Sequence, residues 1–125
     1  MEGRYAIAKF ARDAEIPAWA AGSPFFSVTR TPEELSIVTG EASVPAGLDA
    51  SRGWRMLKVH GPFAFDETGV VSALASPLAR VGVGIFVIST FDTDYLMVQH
   101  EEIPAAVETL EHAGHRILCL ELLNS

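Results

Sequence analysis

The stretch GIFVISTFDTDYLMV, Gly84 to Val98, holds two apolar runs, Ile85–Ile88 and Tyr95–Val98. Between them sit Ser89-Thr90-Phe91-Asp92-Thr93-Asp94. Two β-prone runs around a short polar segment read as a β-hairpin. Asn-Gly would reverse the chain with less strain, yet this tip carries Thr90, Thr93, Asp92, Asp94 and the aromatic Phe91. Ile85–Ile88 is apolar at every position rather than at alternate ones. That predicts a sheet covered on both faces, or at an edge by another chain.

Working outward, Val70, Val71, Leu74, Leu78 and Val81 recur at helical spacing and form one apolar stripe. Asp66 or Thr68 supplies an N-cap, Pro77 should kink the helix, and Gly82 and Gly84 end it. Upstream, WRMLKVHG (Trp54–Gly61) reads as a strand. Downstream, Glu101-Glu102-Ile103-Pro104 opens a second helix with acids in its first turn and proline near its start. Ile103, Val107 and Leu110 are its core stripe, Gly114 its C′ residue, and RILCLELL (Arg116–Leu123) the last strand. The order β-α-β-β-α-β is the ferredoxin-like split βαβ motif. It is an α+β arrangement with two helices on one face of a four-stranded antiparallel sheet.

The first half starts in a similar way. Arg4–Phe10 reads as a strand, Asp13–Ala20 as a short helix, and Phe25–Thr31 and Glu34–Gly40 as two β runs joined through Thr31-Pro32-Glu33. Glu41–Gly53 is rich in Gly, Ala, Ser and Pro and reads as irregular, with one helical turn. No second helix follows, so the first half is a truncated copy of the motif.

Topology makes the hairpin tip informative. The first two strands of a split βαβ run parallel, so the loop His60–Thr68 and the tip Thr90–Asp94 leave the same edge of the sheet. The first helix offers free N–H groups at about Gly69 to Val71, which suit a carboxylate. Asp92, Asp94, Asp66 and Glu67 suit an ammonium. Together they describe a receptor for a free α-amino acid or a similar small zwitterion. A plain turn and a plain N-cap account for the same residues, since Asp and Thr at turns bond to local backbone.

Composition narrows the partners. The chain has 125 residues, a formal net charge of −7 and 49% hydrophobic residues. An acidic protein is a poor match for nucleic acid, whose binding rests on basic side chains. No 18-residue apolar run is present, which predicts no membrane span. The N-terminal stretch does not read as a signal peptide. Cys119 is the single cysteine, so no internal disulfide can form, which fits a reducing, cytoplasmic setting.

From Trp54 to His115 the sequence resembles an ACT domain, and the likeness extends from about Glu34 to the end. The helix-opening Thr68-Gly69, the spacing to the strand, and the IST-x-x-TDY hairpin carry it. The resemblance implies a degenerate N-terminal ACT-like unit at residues 1–53 and a complete one at 54–125. It implies a non-catalytic regulatory sensor, with an amino acid bound where ACT units pair, no cofactor, and a homodimer acting on an enzyme carried by another chain. The binding set it implies is Asp66, Thr68, Gly69, Val70 and Val71, with Thr90, Phe91, Thr93 and Asp94. Ser43, Val44 and Pro45 of the first half complete it. A structural or partner-binding module without a ligand is the alternative, followed by a small enzyme using the same rim.

Other chemistry reads weakly. Gly82-Val83-Gly84 precedes a strand instead of opening a helix after one, which fails the dinucleotide mechanism. His112 and His115, with Glu108 and Glu111, have metal-like spacing, but cationic groups at a helix C-terminus explain the histidines more simply. His60 has no nucleophile beside it.

Overall fold

Burial of alternating side chains on short strands organises both halves of the protein. The structure is a computed structural model that describes residues 3–60, 70–114, 116–118 and 121–123. The chain divides into two units, Gly3–Trp54 and one that begins at Arg55. Strand β4 (Ser51–His60) starts in the first and continues in the second.

The first unit contains β1 (Tyr5–Phe10), β2 (Phe26–Arg30) and β3 (Leu35–Gly40). The strand order is β2-β3-β1-β4, with β1 antiparallel to β3 and β2 antiparallel to β3. The first residues of β4 pair antiparallel with β1, Trp54 opposite Tyr5. Register sets the two faces. Ala6, Ala8 and Phe10 lie opposite Thr39, Ile37 and Leu35 on one of them. Leu35 and Ile37 form a core with Ala20, and Phe10, Ala14, Trp19 and Val28 pack against it.

The expected helix over Asp13–Ala20 is reduced to a 3-10 turn at Ala18–Ala21. Pro17 is the reason. It has no N–H to continue a helix and disfavours helical backbone at Ile16. Pro17 is itself extended, and its carbonyl accepts from the Ala20 N–H at 3.1 Å. The preceding carbonyls find another donor. Arg30 donates from Nη1 to the Arg12 carbonyl and, at 2.7 Å, from Nη2 to the Ala14 carbonyl. A guanidinium fork thus replaces the helix N–H groups that this loop lacks.

The second unit continues with α1 (Val70–Arg80), β5 (Phe86–Ser89), β6 (Asp94–Gln99) and α2 (Ile103–His112). It closes with β7 (Arg116–Leu118) and β8 (Glu121–Leu123). Strand β6 lies between β4 and β5, while β8 pairs parallel with β4 and antiparallel with β7. The unit is α+β and ferredoxin-like. Its last expected strand, Arg116–Leu123, is instead two short strands paired with each other. Nothing in RILCLELL announces that reversal, because it contains no Gly, Pro, Asn or Asp.

Leu57, Val59, Leu96 and Val98 face the helices and form one core with Leu74, Leu78, Ala106 and Leu110. Met56 and Met97, of the opposite parity, are also fully buried. Side chains of both parities are therefore buried in the central strands β4 and β6. Helix α1 runs through Pro77 as one element.

The end of α1 differs in one respect from the sequence reading. Val81 is 55% exposed, and Val83 is the buried residue instead. Gly82 has φ +78° and donates to the Ala79 carbonyl at 3.1 Å, while Val83 donates to Leu78 at 3.0 Å. This is a Schellman stop, with Val83 packed in the core that holds Leu78.

Gly82→Ala should cost about 1 kcal/mol, because only backbone strain opposes the new methyl. A Cβ at either Gly82 or Gly84 would meet no atom within 4 Å. Gly84 has no positive φ, so Gly84→Ala should stay within about 0.5 kcal/mol of the parent. Urea unfolding of both variants checks this; equal effects would contradict the left-handed cap. Arg30→Ala should lose up to about 1 kcal/mol, and Arg30→Lys should not restore it, because a single ammonium cannot span both carbonyls.

Candidate functional site

The β5–β6 hairpin answers why its tip avoids Asn-Gly. Thr90 closes the turn with its backbone and its side chain. Its N–H donates to the Thr93 carbonyl at 2.8 Å, and its hydroxyl donates to the same oxygen at 3.1 Å. The Thr93 N–H in turn donates to Thr90 Oγ1 at 3.1 Å. One step outward, Ser89 and Asp94 face each other across the last pair of the ladder. Ser89 Oγ donates to Asp94 Oδ1 at 2.5 Å. The Thr90 hydroxyl thus takes the place of the carbonyl that accepts the closing bond of an ordinary β-turn.

The bonds sort the tip residues by role. Thr90 and Thr93 are engaged within the turn. Asp94 is half-buried and oriented by Ser89. A carboxylate has a second oxygen, so that bond aims the group without exhausting its acceptors. Phe91 is 78% exposed. Asp92, which the implied binding set omits, is also exposed.

The first unit contains the same turn. Thr31 N–H donates to the Glu34 carbonyl at 2.8 Å, and the Glu34 N–H donates to Thr31 Oγ1 at 3.1 Å. In both units a strand, a threonine-locked turn and a strand lead into a single 3-10 turn, Glu41–Ser43 in one and His100–Glu102 in the other. Sequence reading placed a connection at Thr31-Pro32-Glu33 but did not see this equivalence. The signal was a threonine at the first position of each turn.

The rest of the expected set is distributed as follows. Asp66, Thr68 and Gly69 lie outside the described residues. Val70 and Val71 form the first turn of α1. Ser43, Val44 and Pro45 belong to the first unit. Ser43 ends the 3-10 turn, and its hydroxyl sits where a Cβ on Gly22 would come within 3.0 Å. Val44 is buried, and its N–H donates to the Glu41 carbonyl at 3.1 Å. The Pro45 carbonyl accepts from Arg52 Nη2 at 2.9 Å.

Among the described residues, no group of three or more His, Cys, Asp or Glu side chains is placed to hold a metal ion. Among them, too, no helix is long and apolar enough to cross a membrane.

The ACT domain family model matches residues 49–112, which include α1, the hairpin and α2. The chain belongs to the ACT domain family. A second family model, described as an N-terminal domain, matches residues 3–47 ahead of the ACT match. The ACT chain is 36% identical over 96 residues to a rat protein named cytosolic arginine sensor for mTORC1 subunit 1. That match covers 70% of this chain but only 29% of the rat protein. A crystal structure from Agrobacterium tumefaciens is 45% identical, covers 98% of this chain and 89% of that one, and superposes with a TM-score of 0.86. Aspartate kinase from Clostridium acetobutylicum shares the fold, with a TM-score of 0.65 at 11% identity, over 88% of this chain and 32% of the kinase.

Thr90→Val keeps the shape of the side chain and removes both hydroxyl bonds. It should cost about 0.5–1.5 kcal/mol in chemical denaturation, and Thr31→Val should cost a similar amount. A neutral Thr90→Val would show that the backbone bond alone holds the turn.

Proposed function

We propose that the protein is a non-catalytic, cytoplasmic regulatory sensor that binds a free amino acid or similar small zwitterion where ACT units pair. The observation that carries this reading is the hairpin tip. Its threonines close the turn internally, and Ser89 holds the Asp94 carboxylate in one orientation. An acid fixed before binding loses little freedom when an ammonium arrives.

In this reading the first N–H groups of α1, at Val70 and Val71, donate to the ligand carboxylate at the positive end of the helix dipole. Asp66, Thr68 and Gly69 precede them in sequence. Asp94 accepts the ammonium or another cationic group, and Phe91 lies against the ligand. Ser43, Val44 and Pro45 contribute from a first unit of ACT-like descent, which the shared threonine turn supports. Arginine is the first compound to test, given the names of the curated relatives and the net charge of −7. A homodimer that acts on an enzyme carried by another chain is the proposed setting.

One observation favours a second reading, a structural or partner-binding module without a ligand. Every bond described at Thr90 and Thr93 stays inside the turn. A plain turn would look the same.

A thermal-shift screen of the twenty amino acids separates the two readings. A ligand at one hundred times its dissociation constant should stabilise the protein by about 2.7 kcal/mol. A flat screen at millimolar concentrations would favour the module. Asp94→Asn should weaken binding by about 1.5–3 kcal/mol, and Asp92→Asn should change it less. Equal, unchanged affinities for both variants would remove Asp94 from the site. Light scattering should give twice the 13.5 kDa chain mass; a dilution-independent 13.5 kDa particle would exclude the dimer.

A further inference from the structure

We draw no further inference here: the strongest candidate, the sheet face of the second unit turned away from the helices, where Phe86, Ile88 and Tyr95 are half-buried, carries no proposal because nothing in the structure shows what covers it.

Discussion

Burial of one sheet face beneath two helices is the constraint on which the second unit depends. Leu57 and Val59 of β4 and Leu96 and Val98 of β6 present that face, and Leu74, Leu78, Ala106 and Leu110 cover it. Each fully buried aliphatic side chain of this size contributes about 1.5–3 kcal/mol, more than any single hydrogen bond at the hairpin tip. A register slip of one residue in β6 would turn Leu96 and Val98 away from the helices. The hairpin register is therefore set from below by packing. Its tip is free to carry polar chemistry because it does not have to hold the strands together alone.

That division explains the composition of the turn. A glycine turn would leave the flanking side chains less firmly placed. Thr90 instead closes the loop with its own hydroxyl and leaves neighbouring side chains at defined positions. The same device at Thr31 shows that the turn suits this kind of hairpin in general. The threonines are thus architectural in both units. What distinguishes the second hairpin is the flanking chemistry. Asp94, held by Ser89, stands at the strand end where the first unit has the buried Leu35.

Much of this was legible in the sequence, for identifiable reasons. Leu74 and Leu78 announced α1 by their spacing. Gly82 and Gly114 announced two helix ends, and both have positive φ. Ala106 is not visible in that pattern, since alanine adds little to an apolar stripe, yet it is fully buried on the core side of α2. Val81 was misassigned because a 3.6-residue period cannot see the chain reversing at Gly82. The helix at Asp13–Ala20 failed because Pro17 outweighs the helix preference of the alanines around it, and Arg30 is too distant in sequence for its part to be visible. Of the candidate site, the turn residues were legible by type. Their division into engaged and outward-facing groups was not, because it depends on which hydroxyl reaches which carbonyl.

In the proposed function the start of α1 and the hairpin act together on one small ligand. Backbone amide NMR during titration with arginine, or with the best compound of the screen, tests this most directly. Shifts should concentrate at Val70, Val71 and Thr90–Asp94, saturate with a single affinity, and weaken in step with Asp94→Asn. Saturable binding that leaves those amides unmoved and perturbs residues elsewhere would contradict the account.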